Sequence, residues 1–165
     1  MDLIDYEFER GDNPVDTVEQ LAQLNDWPFE RSDDEIALSV EGCWCDYRLS
    51  VTWMEEREAL HLACAFDLKI PARRKLHVIQ LLALVNERMW IGHFDVWTAD
   101  GVVVYRHSLP LPDGTAATAR QLATLIEAAI DACERYYQAF QFVVWAGKPP
   151  SEALEHALFE TAGQA

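Results

Sequence analysis

The spacing of apolar residues changes period along this chain, and that change decides what the chain can fold into. Val15, Val18, Leu21 and Ala22 recur at helical spacing, after a start where Asn13 can cap, Pro14 fits the first position and Asp16 sits in the first turn. Between residues 36 and 67 the period falls to two. Ile36, Leu38 and Val40 alternate with polar or small residues, as do Cys45, Tyr47, Leu49, Val51 and Trp53, and then Leu60, Leu62, Cys64 and Phe66. Alternation of this kind marks strands covered on one face. A turn near Glu41-Gly42 and the charged run Glu55-Glu56-Arg57-Glu58 make these strands an antiparallel meander, with a short strand around Phe29–Ser32 ahead of it.

Helical period returns at Pro71 and runs to about Trp90. Val78, Leu81, Leu82, Val85 and Met89 form one side of this second helix, and Leu76, Ile79, Ala83 and Trp90 the adjoining one. Together they span an arc of roughly 220°, about twice what a helix lying on a sheet needs. Leu84 interrupts even its polar strip, so the surplus must meet another helix or another subunit. A second hairpin follows, with Phe94 and Val96 in one arm, Val102, Val104 and Arg106 in the other, and Asp100-Gly101 between them. A long helix from about Thr118 to Trp145 is stopped by Gly147-Lys148-Pro149-Pro150, and a short last helix covers about residues 151–161.

The expected fold is therefore α+β: one antiparallel sheet of five to six strands with helices packed mainly on one face. The Leu49/Leu62 face is expected to be covered by the second and third helices. Residues 1–12 read as an acidic lead-in and residues 13–163 as a single domain. With 28 acids against 13 bases the net charge is −15, which argues against nucleic-acid and anionic-membrane partners. Residues 1–35 alone hold twelve acids and two arginines. The acidic start lacks the pattern of a signal peptide, and no apolar stretch approaches the ~18 residues of a membrane span, so the cytoplasm is expected. There Cys43, Cys45, Cys64 and Cys133 remain thiols. No phosphate-loop, dinucleotide, zinc-protease or nucleophile-elbow motif occurs, so neither a cofactor nor a catalytic residue is expected.

Six blocks carry a resemblance: Asn25-Asp26-Trp27-Pro28-Phe29, Trp44-Cys45-Asp46-Tyr47, Cys64-Ala65-Phe66-Asp67, Asn86-Glu87-Arg88, Gly92-His93-Phe94-Asp95 and the stretch Glu134 to Phe142. In combination they resemble the YbjN-domain family, a group described as bacterial sensory transduction regulators. The likeness spans about residues 13–160. It implies a fold similar to type III secretion chaperones, small, acidic and often dimeric, with a role in signalling and no catalytic residues to carry over.

Two sets of side chains are candidates for a site. If the two hairpins adjoin, His61, His93 and Asp95 converge on the uncovered sheet face, a donor set that suits zinc or iron and a metal-dependent enzyme. Leu84, Trp90, Tyr136 and Trp145 fall outside the main apolar stripes and are candidates for a partner surface. The reading favoured by the missing catalytic motifs and the surplus apolar surface is a non-enzymatic, chaperone-like or adaptor protein that binds protein or peptide segments and forms a homodimer. A small-ligand sensor with a pocket between sheet and helices is the alternative.

Overall fold

The computed structural model describes residues 13–163; the acidic lead-in lies outside the described residues. Helix α1 (Pro14–Leu24) begins where Asn13 Oδ1 accepts the Val15 amide at 3.0 Å, and it buries Val15, Val18 and Ala22. The Asn13 side-chain amide also donates to Asp34 Oδ1 at 2.9 Å, which ties the helix start to the turn of the first hairpin.

That hairpin is β1 (Phe29–Ser32) and β2 (Glu35–Glu41), followed by β3 (Asp46–Met54) and β4 (Ala59–Lys69). Helix α2 (Lys75–Asn86), strands β5 (His93–Trp97) and β6 (Val102–Pro110), and helices α3 (Ala119–Val144) and α4 (Pro150–Gly163) complete the chain. The six strands form one sheet in the order β1-β2-β3-β4-β6-β5, every pair antiparallel. The short first strand stands where its sequence placed it.

Leu49, Val51, Leu62, Cys64 and Phe66 face the helices and are buried, as the alternation predicts. In β6 the core-facing residues are Val103 and Tyr105, because Tyr105 stands opposite Phe94 and Val103 opposite Val96. The run Val102-Val103-Val104-Tyr105 is apolar at every position, so its phase could not be read from β6 alone. Ala63 is also buried, although it lies on the other face beside Arg106.

The covering differs from the expectation in one respect. The first helix, α1, packs over β1, β2 and β3; α3 crosses β4 and β6; α2 lies at the β5 edge; and α4 packs on α2 and α3 as an outer layer. Much of the surplus arc of α2 is used by this helix-on-helix packing. Leu76 and Ile79 stay 73% and 45% exposed.

Between sheet and α3 lies an aromatic cluster. The Phe66 ring is 5.0 Å from Tyr137, 5.7 Å from Phe140 and 5.7 Å from Phe94, while Phe94 also meets Tyr105 at 5.5 Å and Tyr136 at 6.0 Å. Edge-on pairs of this kind contribute beyond the area they bury. Phe66→Ala should therefore destabilise the domain by about 3–5 kcal/mol, whereas Arg48→Ala, at an exposed position, should stay within about 0.5 kcal/mol. Urea unfolding of both variants checks this, and equal losses would mean that the cluster does not hold α3 on the sheet.

Candidate functional site

The second helix ends at Asn86, short of the Trp90 expected from its periodicity. The Asn86 side chain explains the stop: its amide donates to the Phe94 carbonyl at 3.0 Å and its oxygen accepts the Phe94 amide at 2.8 Å. One side chain thus supplies the backbone partners that another strand would offer at the outer edge of β5. Residues 87–92 become a turn, and Gly92 closes it at φ +68°. A Cβ there would run into the Tyr105 ring and hydroxyl. That hydroxyl donates to the Ile91 carbonyl at 3.2 Å and so supports the turn from below. Burial pushes its pKa up to about 12, which keeps it a donor.

This turn forms one wall of a cleft of about 240 Å³, with Arg88, Met89, Trp90 and Ile91 on one side and α3 on the other. Along α3 the wall is an exposed row, Thr124, Glu127, Asp131 and Arg135, above a floor of Ala128, Ala132 and Tyr136. Two alanines make the hollow, and helical spacing of three and four places the row along one edge. Arg88 is already engaged, with the Leu84 carbonyl at 2.8 Å and Glu87 at 2.7 Å. Glu127, Asp131 and Arg135 make no ion pair with any described residue.

The four residues singled out for a partner surface are not one patch. Trp90 stands at the rim of the cleft, 79% exposed. Tyr136 is only 3% exposed and packs edge-on against Phe94, so it is floor and not surface; α3 turns it inward because α2 and β5 flank the helix on that side. Leu84 is half-buried against the core. Trp145 caps α3 at its far end, 65% exposed and away from the cleft. The side chains the sequence did not single out are Glu127, Asp131 and Arg135. Their spacing was visible, but only the approach of the 87–92 turn makes them the edge of a hollow.

Between sheet and helices, where the expected sensor pocket would lie, Tyr47, Phe66, Phe94, Tyr105 and Phe140 are packed in the core.

The open sheet face does bring His61, His93 and Asp95 together, as their positions predicted, since β4, β6 and β5 are neighbours. Arg106 occupies the middle of the group. Its Nε donates to His61 Nε2 at 3.4 Å and its Nη1 lies 3.6 Å from Asp95 Oδ2. The imidazole nitrogen and carboxylate that a metal would require are turned to a guanidinium. Among the described residues no group of His, Cys, Asp or Glu is arranged to hold a metal ion.

The thiols do not favour nucleophilic chemistry. Cys43 has its backbone amide on Glu134 Oε1 at 2.8 Å, and hydrogen bonding to that carboxylate, followed by its charge, raises the thiol pKa. Burial raises Cys45 and puts Cys133 well above the ordinary range.

A small α+β domain, its antiparallel sheet backed by helices and its cleft bordered by a helix and a turn, is the class these observations define. The chain belongs to the YbjN family, whose model, described as "Putative bacterial sensory transduction regulator", matches residues 14–142. Among solved structures it is similar to the crystal structure of YbjN from E. coli, described as "a putative transcription regulator", at 13% identity and a TM-score of 0.53, over 73% of this chain and 85% of that one. At that identity the likeness is one of fold. No curated protein matches the chain. No helix among the described residues is long and apolar enough to cross a membrane.

Burial, then Arg106 and then His93, lowers the His61 pKa below its ordinary value. The unfolded chain then takes up the proton first. The stability associated with neutral His61 should be fully present above about pH 6.5 and be lost as pH falls from there through the lower folded value. Proton resonances of the imidazole should titrate below about 6.5, and Arg106→Gln should recover only part of the shift because burial is the larger cause. A His61 that titrates at its ordinary value would contradict the packing described.

Proposed function

We propose that this chain is a non-enzymatic regulator that acts by binding a protein or peptide segment at the cleft between α3 and the 87–92 turn, in the bacterial cytoplasm. The observation that carries the reading is Trp90, 79% exposed on a turn held by Asn86, Gly92 and Tyr105. A large aromatic presented on a rigid support beside unpaired charges is the composition of an interaction hot spot. The family description supports a regulatory role, and the protonated thiols and the guanidinium among the open-face histidines argue against hydrolytic or metal chemistry at those places.

Replacing Trp90 by a photo-crosslinking phenylalanine analogue in the native cell tests the reading. The expected product is a defined protein conjugate, one protein per chain. With that partner purified, Trp90→Ala should weaken binding at least tenfold while changing unfolding stability by no more than about 0.5 kcal/mol. A conjugate formed with no protein, together with a small molecule retained in native mass spectrometry, would favour the sensor reading instead.

A further inference from the structure

We propose that the cleft receives an arginine side chain carried on a basic segment of the partner, its guanidinium stacked on the Trp90 indole and held by Glu127, Asp131 and the Tyr136 hydroxyl. This rests on the reading of the cleft as a protein-binding surface and names the chemistry of what enters it.

The first argument is charge. Along α3 the exposed row Thr124, Glu127, Asp131 and Arg135 holds two acids and one base. Glu127 and Asp131 stand four residues apart, where like charges on a helix repel. Neither forms an ion pair with a described residue that would offset the repulsion. Arg88, on the facing wall, is taken up by Glu87 and the Leu84 carbonyl. A cation set between Glu127 and Asp131 relieves their repulsion and gains two carboxylate partners. Arg135 stands one turn further on and repels a cation from that end, so the row fixes the position of the incoming charge as well as its sign. At longer range the net charge of −15 draws a basic segment toward the chain.

The second argument is the hollow itself. Its volume of about 240 Å³ has room for one long side chain, above a floor of Ala128, Ala132 and Tyr136. Tyr136 is only 3% exposed, and its hydroxyl, the one polar side-chain group of that floor, has no hydrogen-bond partner among the described residues. A buried hydroxyl at the base of a cleft calls for a partner from whatever fills it. Trp90 adds an indole face at the rim. An aromatic face, two carboxylates at the edge and an acceptor at the base suit a guanidinium better than an ammonium. Its plane stacks on an indole, and its five donors reach the carboxylates and the hydroxyl oxygen at once.

The test uses the full chain and capped five-residue alanine peptides whose central residue is arginine, lysine, glutamine or glutamate. The readout is the Trp90 indole N–H resonance, assigned by its loss in Trp90→Phe. The arginine peptide should move this resonance to saturation, the lysine peptide should bind more weakly, and the glutamine and glutamate peptides should leave it in place. Asp131→Asn and Glu127→Gln should each weaken arginine-peptide binding about fivefold. Arg135→Gln should leave it unchanged or tighten it. Asp33→Asn, in the β1–β2 turn at the opposite side of the sheet, should have no effect. Thermal unfolding confirms that the variants fold. An arginine peptide that does not move the resonance, or a glutamate peptide that binds as well, would overturn the proposal. So would an Asp33→Asn or Arg135→Gln that weakens binding as much as Asp131→Asn. A protein cross-linked at position 90 through a segment without arginine would overturn the cationic occupant and keep the cleft as a binding surface. A chain that cross-links to no protein would overturn both.

Discussion

Everything in this molecule is hung on the contact between two phenylalanines of the sheet and three aromatic residues of one helix. Phe66 and Phe94 come from strands that lie on either side of β6, and Tyr136, Tyr137 and Phe140 come from adjacent turns of α3. Such a cluster fixes both the rotation of α3 about its axis and its height above the sheet, because edge-on rings tolerate little sliding. With the inward face set, the outward face follows from the 3.6-residue period. Tyr136 points down, and Asp131 and Arg135 are left along the edge. The rest of the helical layer then assembles on α3: α1 beside it, α2 at its flank and α4 across both.

The outer strands show how the same sheet avoids unwanted partners. A free strand edge offers a row of backbone donors and acceptors to any other chain. At β5 the Phe94 amide and carbonyl are occupied by Asn86, and the Val96 amide is held by its neighbour's carboxylate, Asp95 Oδ1, at 2.8 Å. At the other side β1 has only four residues, and Arg31 folds back onto α1, 2.8 Å from Asp16 and 2.9 Å from Glu19. Asn86 serves two purposes, since the bond that closes the edge also ends α2 and releases the turn that carries Trp90.

Most of this fold was legible in the sequence because its signals are local. The switch of period gave the meander, Asp100-Gly101 the second hairpin, and Asn13-Pro14 the first helix start. Three features were not legible, each for a physical reason. The end of α2 depends on Asn86 reaching Phe94, eight residues on, while the apolar period continues through Met89 and Trp90. The phase of β6 is hidden in four consecutive apolar residues and is decided by the pairing of Tyr105 with Phe94. The burial of Tyr136 depends on which neighbours flank α3, and helical spacing alone left it beside the main stripe. The cleft shares this difficulty. Its floor and its row of charges are periodic and visible, but its second wall exists only because a distant turn is pinned against the helix.

Among the described residues, the bare sheet face and the border of the cleft arrange their polar groups differently. On the bare face of the sheet, Arg48 pairs with Glu30 at 3.2 Å, Ser50 donates to Glu35 at 2.6 Å, and Arg106 stands between His61 and Asp95. These groups are engaged within the chain, and a partner covering them would have to break those contacts and remove the groups from water, a cost that ion pairing at a surface rarely offsets. Beside the cleft the reverse holds. Glu127, Asp131 and Arg135 pair with no described residue, so a complementary partner adds contacts without displacing any. The hollow between them and Trp90 supplies the apolar area that charge alone cannot. Between two exposed faces of one domain, the unsatisfied one is the better place to look for what the protein recognises.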